Sequence, residues 1–335
     1  MKTLSIPSTM RALQQTSLEG TKDLRLIADA PVPSPGPGQV LIRVAASGIN
    51  FADVSRAQGT FRDGPRPPFI AGFEAAGEVA AVGVGVEGLP LGLSVVGVGA
   101  GAFAEYMLLS AAAAVPVPKG WSAEHALGLV VNWPTALAAL RSLGRLVAGE
   151  TVLIHAAAGA TGQVAVRLAK HLGATVVAAA SPTKHAAVRA LRADHVLDSR
   201  REDLAAEVLK LTEGRGADVV LESAGGATFR ASLAAARRVS GRVVVYGLAG
   251  GDAAVTNWEL VYQHPVQVMG LNLGALIQSA PGVFGEIMAK LFALIEAGVV
   301  GPSTPTLYPL SEGPKVLVSL EGRETIGKLA LLPRP

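Results

Sequence analysis

The sequence predicts an α/β protein with a β-rich, barrel-like module followed by a doubly wound parallel sheet. Three observations carry this reading. Residues 10 to about 120 read as short apolar strands broken by Gly- and Pro-rich turns. From Ser122 onward, helical and strand patterns alternate, the mark of a parallel sheet covered by helices. At Leu153 to Val164 an apolar strand runs into a small-residue loop and then an amphipathic helix.

Taken in order, residues 1–9 read as a loose leader. They carry one Lys, no long apolar core and no small-residue cleavage pattern, so they are not a signal peptide. Met10-Arg11-Ala12-Leu13-Gln14 starts the first strand. Val40–Val44 and Ala76–Val82 are strand-like, whereas Pro31–Gly38 and Asp63–Pro68 are loops. Gly83, Gly85 and Gly88 mark a turn. Ser122 caps a helix at Ala123-Glu124, and Pro134 starts another that runs through Leu140. The strand Thr151–Ala156, the motif helix to about Leu172 and the strand Thr175–Ala180 form a βαβ unit. A helix follows from Pro182 to about Leu191, with strands at His195–Leu197, Asp218–Leu221, Arg242–Tyr246 and Val266–Leu271. Beyond Leu273 the pattern gives a helix at Gly282–Ala297, a Pro-rich strand or loop at Pro302–Pro309, a helix at Ser311–Leu320 and a last strand at Lys328–Leu332. This tail is too small to fold alone, so it is expected to return to the first module. The expected division is residues 1–125 with 274–335, and residues 126–273 between them.

Composition bounds the function. The chain has 335 residues, enough for two domains, and is 50% hydrophobic and only 16% charged, which argues against extensive disorder. Its formal net charge is +3 with no Lys/Arg run, so no concentrated nucleic-acid footprint is present. There is no cysteine, which excludes disulfides, thiolate metal ligands and a Cys nucleophile, and suits a cytoplasmic protein. Gly, Pro or charge breaks each apolar stretch before the ~20 residues of a membrane span.

The loop Ala157-Ala158-Gly159-Ala160-Thr161-Gly162 is a dinucleotide fingerprint with Ala in its first Gly position. Small residues let backbone amides approach a pyrophosphate, and the following helix offers its unpaired N–H groups. Dinucleotide-binding sheets that prefer NAD place an Asp or Glu at the end of the second strand, about 20 residues on, to hold the ribose 2′-OH. Here that strand ends Ala178-Ala179-Ala180-Ser181, with no acid to repel a 2′-phosphate. Ser181 offers a hydrogen bond and Lys184 a positive charge. The expected cofactor is NADPH, preferred over NADH by at least about tenfold, or ~1.4 kcal/mol.

Several short motifs, in this order and spacing, resemble the zinc-independent medium-chain dehydrogenase/reductases, in particular their NADPH:quinone oxidoreductase (zeta-crystallin-like) branch. They are Gly48-Ile49-Asn50-Phe51-Ala52-Asp53-Val54, Gly72-Phe73-Glu74-Ala75-Ala76-Gly77-Glu78-Val79, Gly101-Ala102-Phe103-Ala104-Glu105-Tyr106, Pro134–Leu140, the fingerprint loop, Asp218–Glu222 and Gly322-Arg323 with Gly327-Lys328. The resemblance implies a GroES-like barrel plus a Rossmann domain, an active site in the cleft between them, and a homodimer formed through the Rossmann domains. It places Asn50 and Asp53 beside the nicotinamide, with Asn50 orienting its carboxamide or a substrate carbonyl and Asp53 holding the loop through backbone N–H groups. It adds Thr135, Gly247 and Arg323 to the cofactor contacts Ala158, Gly159, Ala160, Thr161, Gly162, Ser181 and Lys184. A Tyr that contacts the phosphate in relatives is Ser199 here, and Arg200 or Arg201 is expected to compensate. Glu74 is read as structural and Tyr106 as barrel core.

Zinc-dependent relatives carry Cys where this chain has Asn50 and His where it has Phe73. The six His residues form no short-spaced ligand pair, so no metal is expected. Phe61 occupies a position that is Tyr in many relatives and cannot donate a proton. Phe61, Trp133, Trp258 and Tyr262 are expected to line the substrate pocket. Without metal or evident acid, the expected chemistry is hydride transfer to an already electrophilic small-molecule acceptor, a quinone or an activated enone, driven mainly by proximity and orientation. Two alternatives stand beside it: a 2-enoyl thioester (enoyl-CoA/ACP) reductase, and a non-catalytic NADPH-binding or RNA-binding scaffold.

Overall fold

The computed structural model describes residues 6–334, so the first five residues of the expected leader lie outside the described residues. The chain forms two compact units, one from the chain start to Val131 together with Pro302 onward, the other from Asn132 to Gly301.

The first unit opens with β1 (Thr9–Gln15), β2 (Leu24–Pro31), β3 (Gln39–Ile49), α1 (Phe51–Ala57), β4 (Phe69–Ile70), β5 (Glu74–Val82), β6 (Ser94–Val98), β7 (Tyr106–Ser110), β8 (Val115–Pro116) and α2 (Ala123–Ala126). β3 is the longest strand and organises the barrel, pairing antiparallel with β5 and β7. Alternation along it turns Val40, Ile42 and Val44 into a core shared with Val79, Val95, Met107 and Leu109. β1 pairs with β2 and β4 in a separate three-stranded sheet.

The second unit begins with α3 (Asn132–Leu137), which continues through a π-helical stretch at Ala138–Leu143. There follow β9 (Thr151–Ile154), α4 (Ala160–His171), β10 (Thr175–Ala180), α5 (His185–Arg189), β11 (His195–Asp198), α6 (Leu204–Leu211), β12 (Val219–Glu222), α7 (Gly226–Ala235), β13 (Arg242–Val245), β14 (Gln267–Gly270), α8 (Leu273–Ser279) and α9 (Pro281–Glu296). All six strands pair parallel, in the order β11-β10-β9-β12-β13-β14. This is the doubly wound order 3-2-1-4-5-6, with its topological switch at β9. Leu153, Val177, Val220 and Val243 are in register and line one face of the sheet, packed against Val208, Phe229 and Leu233 from α6 and α7.

The chain then returns to the first unit through β15 (Thr306–Pro309), α10 (Gly313–Glu321) and β16 (Leu329–Leu332). β16 pairs antiparallel with β3, and Val316 and Leu317 of α10 pack with Leu13 and Val54. The return begins at Pro302, not at the expected 274. The expected boundary at 125/126 likewise moves to 131/132. The reason is α9, which turns Ile287, Met288 and Leu291 inward and packs on α3 within the second unit.

Candidate active site

In the first unit Asn50 is the residue at which β3 gives way to α1. Its backbone N–H donates to Asp53 Oδ2 at 2.9 Å, which ties the first turn of the helix back to the strand. Its side-chain Nδ2 donates to Glu74 Oε2 at 2.8 Å. Lys328 Nζ donates to Asn50 Oδ1 at 2.9 Å and to Glu74 Oε2 at 2.6 Å. Strand register explains the meeting: Glu74 opens β5 opposite Gly48, and Lys328 precedes Leu329, which pairs with Ile49. The second Glu74 oxygen accepts the Gly128 N–H at 2.5 Å. A carboxylate on one side and an ammonium on the other fix which way the Asn50 amide points, because only its NH2 donates and only its oxygen accepts.

Asp53 is buried, and its Oδ1 accepts no hydrogen bond. Burial pushes its carboxyl up to about 7, with Glu74 adding a lesser push, while the Asn50 N–H and the charges of Arg56 and Lys328 oppose the rise. One turn further along α1, the Arg56 guanidinium lies over the Phe73 ring at 4.5 Å and the Phe61 ring at 4.9 Å. Burial lowers the Arg56 pKa, and Asp53 works against that shift. Arg56 also lines a groove of about 600 Å³ in this unit, walled by Phe69, Ile70, Val98 and Met107. Tyr106, expected as barrel core, is buried and shows one edge to this groove.

In the second unit, β9 stops at Ile154, two residues short of the expected end, because Ala156 takes a φ of +48° and starts the turn. α4 begins after Gly159 with no side-chain cap, so the N–H groups of Ala160, Thr161 and Gly162 face outward from its first turn. Gly162 must be glycine, since a Cβ there would overlap the Ala156 carbonyl oxygen where helix meets strand. Ala158 is held by Gln163, whose Nε2 donates to its carbonyl at 3.1 Å. The Thr161 hydroxyl accepts from Asn132 Nδ2 at 3.0 Å, and Thr135 stands half-buried one turn along on the same helix, α3. An uncapped helix N-terminus of 12 residues at a switch point fits a dinucleotide pyrophosphate.

A second loop lies at the same end of the sheet. Glu222, fully buried at the end of β12, accepts the Ala224 and Gly225 N–H groups at 2.5 and 2.9 Å. Its other oxygen accepts the Ser232 hydroxyl at 2.8 Å, and that hydroxyl is 3.0 Å from His155 Nε2. Burial lowers the His155 pKa, and the charge of Glu222 opposes that shift. Gly247 lies against this loop, where a Cβ would come within 2.6 Å of the Ser223 carbonyl oxygen. Its neighbour Tyr246 is pushed up to about 12 by burial, with a Ser223 hydrogen bond opposing.

At the end of β10, Ser181 and Lys184 bracket a single 3-10 turn, both half-buried. No acid follows the strand. Asp198, in register with Ala180 on β11, is engaged by Arg200 at 3.2 Å, and Arg201 is held by Asp203 at 2.5 Å. Both arginines expected to compensate for Ser199 are thus engaged by acids of their own loop. Arg323 stands exposed beyond α10 in the first unit, with a φ of +56°. Of the residues expected to line the substrate pocket, Phe61 sits at the Arg56 end of the first unit and Trp133 is buried in α3. Trp258 and Tyr262 form an exposed pair with ring centroids 5.7 Å apart. Among the described residues no group of three or more His, Asp or Glu side chains is placed to hold a metal ion. None of the described helices is long and apolar enough to cross a membrane.

Two family models match: an alcohol dehydrogenase GroES-like domain over residues 36–119 and a zinc-binding dehydrogenase over residues 160–292. A 2-haloacrylate reductase of a Burkholderia species is 33% identical, with 94% of this chain and 97% of the relative covered. The chain belongs to the zinc-independent medium-chain dehydrogenase/reductases. As a medium-chain oxidoreductase it also superimposes on a mycobacterial protein solved with NADPH (TM-score 0.90, 32% identity, 97% of this chain and 100% of the other). A quinone oxidoreductase of Pseudomonas syringae pv. Tomato gives a TM-score of 0.89 at 31% identity, again over 97% and 100%. Both family models fall within the two units described above, and the tail from Pro302 lies outside them.

Sequence reasoning missed four residues of this site. Glu74 and Lys328 orient Asn50, Asn132 holds Thr161, and Arg56 stands in the groove. The motifs Gly72-Phe73-Glu74 and Gly327-Lys328 were visible, but they lie 254 residues apart and no spacing rule joins them.

Proposed function

We propose that this chain is an NADPH-dependent reductase that passes a hydride to a quinone or an activated enone without a metal, and that it works as a cytoplasmic homodimer. The observation that carries this is the uncapped start of α4 at the switch point, followed by a second strand that ends in Ser181 and Lys184 with no acid. Ala158, Gly159, Ala160, Thr161 and Gly162 would hold the pyrophosphate, and Ser181 and Lys184 the 2′-phosphate. Thr135, Gly247 and Arg323 complete the cofactor contacts. Bound NADPH supplies the hydride.

Asn50 would present a fixed amide to the nicotinamide carboxamide or the acceptor carbonyl, held by Glu74 and Lys328. Asp53 keeps the Asn50 backbone in place. The likeness to a 2-haloacrylate reductase and to a quinone oxidoreductase supports an electrophilic acceptor. The edge strand β14, with Val268 37% exposed, supports pairing of two second units.

The test is NADPH oxidation with 1,4-benzoquinone, a simple enone and crotonyl-CoA in parallel. Turnover of the first two under NADPH, and weak turnover under NADH, is expected. Turnover of crotonyl-CoA alone would replace this reading with an enoyl thioester reductase. NADPH binding with no oxidation by any of the three would leave only a binding protein.

A further inference from the structure

Glu222, Ser232 and His155 form a chain of hydrogen bonds inside the second unit, and none of the three is more than 2% exposed. His155 follows β9 and stands just before the fingerprint turn, its N–H donating to the Leu221 carbonyl at 3.1 Å. Glu222 ends β12. These two strands are neighbours at the topological switch of the sheet. Ser232, on α7, joins them. Its hydroxyl has one proton to give, and Glu222 Oε2 at 2.8 Å is a better acceptor than the Thr228 carbonyl at 2.9 Å. The Ser232 oxygen is then left to accept from His155 Nε2 at 3.0 Å.

The other Glu222 oxygen holds the Ala224 and Gly225 N–H groups. That loop is tied in turn to the loop after β13. The Ala249 N–H donates to the Ser223 carbonyl at 3.3 Å, the Gly250 N–H to Ala224 at 2.5 Å, and the Gly226 N–H to Gly251 at 3.1 Å. The Tyr246 and Ser223 side chains are hydrogen-bonded as well. A satisfied buried network fixes one geometry for whatever it touches. Here it fixes two loops at the end of a parallel sheet where ligands bind.

We propose that Glu222, anchored by Ser232 and His155, is a positioning residue that sets these two loops as the seat of the nicotinamide riboside half of NADPH. This rests on the cofactor placement proposed above, with the pyrophosphate at α4 and the 2′-phosphate at Ser181 and Lys184. β10 and β12 flank β9 on opposite sides, so a dinucleotide whose adenosine end lies over β10 directs its other half toward β12 and β13. The network therefore governs one half of the cofactor and leaves the other alone.

The test compares two ligands of the full-length protein by calorimetry: NADPH, and 2′,5′-ADP, which carries the adenosine half only. Ser232→Ala and Glu222→Ala are expected to weaken NADPH by roughly tenfold, the loss of a buried charge-assisted hydrogen bond, and 2′,5′-ADP by less than about twofold. The emission gained by NADPH on binding, which reports the surroundings of the nicotinamide, should fall in both variants. Glu222→Gln keeps an oxygen for the loop N–H groups and should recover part of the NADPH affinity. Should Glu222→Ala fail to fold, Ser232→Ala, which removes a single oxygen atom, carries the test. NADPH affinity and emission unchanged in Ser232→Ala overturn the proposal. So does an equal loss for both ligands, which marks the network as a general support of the unit. Failure of 2′,5′-ADP to bind the wild type sinks the cofactor placement itself, whereas normal 2′,5′-ADP binding with either of the two preceding results sinks the positioning role alone.

Discussion

Lys328 reaches across 254 residues of sequence to donate to Glu74 at 2.6 Å, with both side chains almost wholly buried. A buried pair of this kind stabilises mainly by comparison with its broken forms. Glu74→Gln or Lys328→Met leaves one charge unpaired and is expected to cost about 3–5 kcal/mol, read by urea unfolding. The double variant should recover much of that loss. It should not recover Asn50 orientation, so kcat stays low while stability returns. A double variant as unstable as the sum of the two singles would show that the pair does not act as a unit.

Asp53 gives the stability curve a distinctive shape. Its carboxyl titrates at about 7 in the folded chain against 3.8 when unperturbed, so between those values the folded state binds more protons than the unfolded one. Stability from this group is therefore fully present below about pH 4, falls as pH rises toward 7, and levels off above. The Arg56 and Lys328 charges and Glu74 face it and are part of that balance. Asp53→Asn keeps an acceptor for the Asn50 N–H and should flatten the decline. A wild-type curve that is already flat from pH 4 to 7 would rule this out.

Lys184→Ala is expected to raise the NADPH Michaelis constant by at least about tenfold, the ~1.4 kcal/mol of one charge-assisted contact, and to leave NADH nearly untouched. An equal change for both cofactors would move Lys184 out of the 2′-phosphate site.

Gly162→Ala puts a methyl group into the Ala156 carbonyl oxygen. Overpacking there is expected to cost about 1–3 kcal/mol and to shift the start of α4 away from β9. Melting temperature and NADPH titration should fall together. A variant as stable as wild type with unchanged affinity would mean that helix and strand are free to separate.

Val268→Lys places a charge on the exposed edge strand β14. Light scattering coupled to size exclusion should show a dimer for the wild type and a monomer for the variant. A variant that stays dimeric would move the interface elsewhere.

The sequence by itself determined the two modules, the parallel sheet and the fingerprint loop. Their signals are local: alternation along β3, apolar runs at β9 and β10, small residues at Ala157 to Gly162, and the missing acid after Ala180. Helix α8 was not legible, because its apolar stripe, Leu273, Leu276 and Ile277, is only one turn long and a pattern that short does not separate a helix from an apolar loop. The placing of α9 was hidden as well, since its apolar face could have packed on either module. Only the tertiary structure decided that Asn50, Glu74 and Lys328 meet, because strand register sets that meeting and β3, β5 and β16 are distant in the chain. The same holds for Arg56. Its residue type was plain in the sequence, but its lack of an acid partner and its place between Phe61 and Phe73 are properties of packing, which a linear pattern does not encode.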